Sequence, residues 1–198
     1  MKTLQIAQFK VNSGLPGYLF KKVEELSREY DWQAMYSMAV RDIEVGEWVQ
    51  LKCRYGCPNY NSNWCCPPAS PDTERVRSIL QEYSLALLLV GQERNPEYYN
   101  NSRRKRIKQV RCWKETVALE RYLFLQGYYK AFSLLPGPCS LCRECAYPQT
   151  CHFPQERRPS LESFSIDVIA SVKNLGLSTP VASTVKDFYY RYAIILVE

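Results

Sequence analysis

Apolar residues recur at steps of four, three and four in Leu19, Val23, Leu26 and Tyr30, which predicts an amphipathic helix over residues 18–30, entered through a turn at 14–17. Residues 34–45 read as an extended segment ending at Gly46, and residues 47–52 as a second strand that leads into Cys53. Ser70-Pro71-Asp72 supplies a capping hydroxyl, a proline for the first helical position and an early acid. A helix is expected to open there, with Val76, Ile79, Leu80 and Tyr83 on its apolar face. Residues 84–91 suit a strand buried on both faces. A polar loop at 92–101 follows, then a helix over about 102–126 with Ile107, Val110, Trp113, Val117 and Leu125 inward and Gly127 as its stop. Residues 128–135 predict another strand and 187–197 a last one. Between them, 161–175 predict a helix closed by Gly176, with Phe164, Val168, Val172 and Leu175 inside. Strands alternating with helices imply an α/β or α+β domain spanning 1–198. Its expected form is a mixed sheet with helices packed on it and two cysteine-rich loops, 53–68 and 137–155, at strand ends.

Composition narrows the class. With 198 residues, 46% of them apolar, the chain can bury one core of its own. No stretch reaches the roughly 20 apolar residues of a spanning helix, and the first ten residues lack the apolar centre of an export signal. A cytoplasmic, reducing setting is therefore expected, where clustered cysteines read as metal ligands rather than disulfides. Much of the net charge of +6 comes from Arg103, Arg104, Lys105, Arg106, Lys108, Arg111 and Lys114. That run reads first as a solvated helix face, and second as a docking patch for an acidic redox protein. No recognised nucleic-acid-binding motif accompanies it.

Eight of the nine cysteines fall in two stretches: Cys53, Cys57, Cys65 and Cys66, then Cys139, Cys142, Cys145 and Cys151. Two consecutive two-residue gaps let one loop present Cys139, Cys142 and Cys145 to three corners of a [4Fe–4S] cubane. Zinc is the alternative, but its usual signature is two separated cysteine pairs. Prolines at 58, 67 and 138 stiffen the loops. Lys52, Arg54, Arg143, Arg157 and Arg158 are placed to offset thiolate charge, and Trp64, Tyr55, Tyr60 and Phe153 to exclude water. His152, the only histidine, is a substitute ligand, whereas Cys112 reads as a buried structural thiol. Cys65 and Cys66 pose the main question, because adjacent side chains in an extended segment point opposite ways. If Cys66 alone serves, seven thiolates leave one iron of two clusters open; eight would close both, and ligands can also cross over between the groups as in two-cluster ferredoxins.

The segments Cys53-x3-Cys57-Pro-x-Tyr60, Trp64-x-Cys66-Pro-Pro, 127–132, Gly137-Pro-Cys139-x2-Cys142-x2-Cys145 and 158–168 resemble a family of small cysteine-rich prokaryotic proteins, catalogued as predicted metal-binding proteins of unknown function. The resemblance spans most of 35–197 and implies a cytoplasmic metalloprotein, often found in anaerobes, without an established reaction. By that pattern Cys66 matches the ligand before Pro67-Pro68, and Cys65 is a departure. The four-cysteine tail also resembles bacterial ferredoxins, with a longer last gap. One or two [4Fe–4S] clusters transferring electrons to or from an acidic protein partner is the leading expectation. An enzyme with an open iron for a small substrate, or a zinc-stapled interaction module, are the alternatives.

Overall fold

The computed structural model describes residues 14–94, 103–180, 184 and 187–198, with 94 and 103–105 described through their backbone alone. Strand β2 (Leu85–Arg94) runs through the centre of a four-stranded sheet. It pairs with β1 (Ala34–Ala39) on one side and β4 (Phe188–Leu196) on the other, and β3 (Phe132–Leu134) completes the order β1-β2-β4-β3. Among the described residues five helices accompany it: α1 (Gly17–Glu29), α2 (Glu47–Gly56), α3 (Thr73–Leu80), α4 (Arg103–Leu125) and α5 (Val168–Asn174). The result is the expected combination of helices and sheet. Pairing between the named strands is antiparallel throughout, where a sheet of mixed direction was expected. The reason is topological: β2 and β3 run the same way, and β4 inserts between them, antiparallel to each.

The alternation of a strand distributes the core on both sides of this sheet. Leu87, Leu89, Ala193 and Ile195 join Leu19 and Val23 of α1 and Trp113, Val117 and Leu123 of α4. Ala86, Leu88, Ile194 and Leu196 face the opposite way, with Val76 and Leu80 of α3 and Val172 of α5. Each leucine buried this completely contributes roughly 1.5–3 kcal/mol, so the apolar run of β2 is the main local determinant of the layering.

Several elements depart from the periodicity reading, some through local bonds and caps and one through tertiary contacts. Residues 47–52 form the start of helix α2, not a strand. Glu47 in its first turn and Arg54 in its last complement the helix dipole. The extended segment from 34 stops at Ala39, and Val40–Asp42 form a 3-10 turn. Helix α3 is capped by Asp72, whose carboxylate accepts from the Arg75 amide at 2.8 Å, two residues beyond the expected cap. Strand β2 continues through Arg94, taking the first positions of the expected polar loop; the rest of that loop and the N-terminal segment lie outside the described residues. Ile107 and Leu125 on α4 are exposed rather than inward, while Trp113 and Val117 are buried as expected. Only Phe132–Leu134 of the strand expected at 128–135 forms, because the amides of Tyr128, Tyr129 and Ala131 bond within the turn after α4. The helix expected at 161–175 is split. Ser165 adopts φ +58° and its carbonyl accepts from Gly46, while Asp167 donates to Glu44, so tertiary bonds replace helical ones.

Candidate metal centre

Two irregular excursions, 57–72 and 135–161, leave this scaffold on long paths, a length that in compact domains usually serves function. The first continues from the end of helix α2, not from a strand end. The second is closed at its base where Leu135 donates to Pro159 at 3.0 Å and accepts from Leu161 at 3.1 Å. Gly137, at φ +72°, turns the chain into it, a conformation that favours glycine.

The excursions are laced together. The Asn63 amide donates to the Cys139 carbonyl at 3.4 Å, and its oxygen accepts from the Cys65 amide at 2.9 Å. The Trp64 indole donates to the Gln149 carbonyl at 2.7 Å and meets the Tyr147 ring edge-on, with centroids 5.0 Å apart. Tyr147 in turn donates to Asn61 at 3.2 Å. Helix α4 holds the second excursion from behind, with Arg106 donating to the Leu141 carbonyl at 2.9 Å and Trp113 to that of Glu156 at 2.9 Å.

The eight clustered cysteines, all with free thiols, divide five and three. Cys65, Cys139, Cys142, Cys145 and Cys151 line one cavity of about 740 Å³. Cys53, Cys57 and Cys66 line a second, of about 430 Å³. The end of α2 explains part of the second set: Cys53 sits on its last turn and Cys57 is the C-cap residue that follows, and both line this cavity. Cys65 and Cys66 line different cavities, and Cys65 joins the tail cysteines, a crossing of thiols between the two sequence groups. Pro138 and Cys66 line the second cavity, Cys139 and Cys65 the first, so these two dipeptides form a shared wall.

The electrostatics are those of crowded thiols. The Cys66 thiol is pushed up to about 12, first by burial and then by the negative charge of Cys57, Cys53, Cys139 and Cys145. Cys53 is raised by burial and then by Cys57 and Glu162. Cys65 donates to Cys139, which lowers Cys139 to about 7 against the opposing effect of burial, with help from the Leu141 amide and Arg157. The same bond is the first cause that raises Cys65. A bound cation reverses the balance and deprotonates such thiols outright, so this donor set fits a metal. Donors to sulfur are already in place: Asn59 to Cys57 at 3.8 Å and the Phe153 amide to Cys151 at 3.4 Å. Among the described residues, no three Cys, His, Asp or Glu side chains converge closely enough to hold a single metal ion; the thiols are spread over the cavity walls instead.

Other expected site residues sort unevenly. Arg157 stacks over Trp64 at 5.1 Å and faces Cys65 and Cys139, and Arg143 lines the five-thiol cavity. Arg158 is committed elsewhere: its guanidinium pairs with the buried carboxylate of Glu120, Nε to Oε2 at 2.8 Å. Tyr55 is 79% exposed and shields nothing, and Arg54 sits over its ring. Tyr60 lines the three-thiol cavity, Phe153 and Trp64 the other, and His152 is exposed. Cys112 is buried on α4, raised to about 11 mainly by burial. Arg106, read as part of a solvated run, instead offsets the charge of Cys142; neither it nor Asn63 carried a local signal for its role.

No curated protein and no solved structure matches this chain. A family model described as "predicted metal-binding protein (DUF2284)" matches residues 36–197, which include all eight clustered cysteines. The chain therefore belongs to this family of predicted metal-binding proteins, whose function is unknown.

Proposed function

We propose that the protein is a cytoplasmic iron–sulfur protein that carries two [4Fe–4S] clusters and exchanges electrons with an acidic protein partner. The observation that carries this reading is the division of the thiols around two adjoining cavities. Thiols spread over cavity walls suit a cluster, whose irons are ligated at separate corners, better than a zinc ion, which needs four donors at one point. Cys139, Cys142 and Cys145 would take three corners of one cluster, with Cys151 or Cys65 at the fourth. Cys53, Cys57 and Cys66 would hold the other. Such clusters supply reversible one-electron chemistry.

The surrounding residues have definable tasks. Amide donors from Asn59 and Phe153 stabilise negative sulfur and thereby tune its potential. Arg106 from helix α4 and Arg157 from the second excursion offset thiolate charge. Centres held in these two cavities would lie side by side across the shared wall, a short path for an electron. For docking, the basic face of α4 offers Arg111 and Lys114, 68% and 52% exposed although each has an acidic neighbour; such charge steers encounter with an acidic surface.

The test is purification without oxygen, with iron, acid-labile sulfide and zinc counted per chain. About eight irons with matching sulfide are expected for two cubanes. Zinc without sulfide would replace this reading with a zinc-stapled interaction module.

A further inference from the structure

The cavity beside Cys53, Cys57 and Cys66 has features that an electron relay does not use. It contains three thiols, no other cysteine and no histidine. The rest of its wall is largely apolar, formed by Val49, Ile166 and Val168 with Trp48 and Ile169 at the mouth. Those two stand 48% and 43% exposed, although large side chains of this kind are commonly covered. Its volume of about 430 Å³ lies in the range of small-molecule sites. Two carboxylates border it. Asp167 is occupied as the cap of α5, accepting from the Ala170 amide at 3.0 Å, and Glu162 offers a hard oxygen donor at a centre whose other donors are soft.

We infer that this cavity binds a small organic thiol with an apolar body, whose sulfur serves as the fourth ligand of the three-cysteine centre. On binding, the thiol's proton goes to solvent and its thiolate occupies the open corner; no electron is transferred. The apolar body lies against Trp48, Val168 and Ile169 and removes their surface from water. Lys52, whose ammonium sits 5.0 Å from the Trp48 ring centroid, stands at the wall to offset the added negative charge. This inference rests on the two-cluster reading above and locates the open position within it.

The experiment uses full-length protein purified without oxygen in thiol-free buffer, with iron and sulfide counted first, then titrated with ethanethiol while the EPR spectrum of the dithionite-reduced protein is followed. One of two cluster signals should shift and saturate. Cys66→Ser should abolish the responsive signal, whereas Cys65→Ser should keep it. Ile169→Ala, which truncates an exposed apolar side chain at the rim, should raise the half-saturating ethanethiol concentration about tenfold, the equivalent of one lost apolar contact surface. Glu162→Gln should leave the response unchanged. About eight irons with no shift in either signal would overturn the inference and leave the two-cluster reading intact. A response lost in Cys65→Ser but kept in Cys66→Ser would also overturn it, by placing the open corner in the other cavity. Protein without iron and sulfide would remove both.

Discussion

At the scale of single residues, the chemistry turns on how much each thiol resembles a thiolate. Thiolates are the reactive and metal-binding form, and three buried or half-buried cysteines here are set far apart. Cys139 is held at about 7 by the bond from Cys65, whereas burial takes Cys66 to about 12 and Cys112 to about 11. In reduced, metal-free protein, iodoacetamide should therefore label Cys139 first. Its rate should climb about tenfold between pH values roughly one unit below and one unit above its own, then flatten. Labelling of Cys66 and Cys112 should be slow at neutral pH and still rising above about pH 10. Mass spectrometry of quenched samples would report each site. Equal labelling of all three at neutral pH would mean that the Cys65–Cys139 bond does not form.

Among elements, the second excursion depends on an anchor that contains no cysteine. Glu120 on α4 is 7% exposed and Arg158 13%, and Glu120 also accepts from the Ser133 amide of β3 at 2.7 Å. One carboxylate thus ties helix, edge strand and returning loop together. Replacing Arg158 by methionine leaves that carboxylate buried without its cation, a loss of about 3–5 kcal/mol. Urea unfolding of Arg158→Met should show that loss, while iron bound per folded molecule stays unchanged. An equal fall in iron would restore Arg158 to the role of cluster counter-charge. Gly137 gives a second handle on the same excursion. Its φ of +72° costs a residue with a Cβ roughly 1–2 kcal/mol, so Gly137→Ala should lower stability by about that amount, read from the same unfolding curves.

The whole molecule separates a scaffold from its cysteine-bearing excursions. Both core clusters are built mainly from the sheet and its helices, with loop residues such as Leu141 and Leu161 added, and of the eight clustered cysteines only Cys139 packs against either. Stability of the sheet is therefore expected to be independent of a bound metal, whereas the excursions have turns, a few cross-links and only isolated side chains such as Leu141 buried in the core. Regions of that kind open at low energetic cost, and a ligand that bridges them stabilises the closed form by mass action. Removing the metal with a chelator should leave the far-UV circular dichroism of helices and sheet nearly intact. Limited proteolysis should then cut within 57–72 and 136–158, sites that are protected in loaded protein. Loss of the sheet signal on chelation would mean that the centres belong to the folding core. Among the described residues, no helix is long and apolar enough to cross a membrane.

The sequence by itself determined the central strand, the helices α1 and α4, and the fact that sulfur dominates the chemistry. These follow from short-range rules: an apolar run that must be buried, a period near four residues, and thiols too dense to be incidental. The tertiary structure decided the rest. Residues 47–52 became helix, which brought Cys53 and the C-cap Cys57 to one end of α2, and Ser165 interrupted a helical pattern because Gly46 claimed its carbonyl and Glu44 the amide of Asp167. Cys65 was assigned to the tail cysteines through Asn63, whose partner Cys139 lies 76 residues away. Periodicity reports which side of an element is buried, but not which distant loop will face it. The partition of the thiols depends on that second question, because two adjacent residues with the same side chain have no local property that tells them apart.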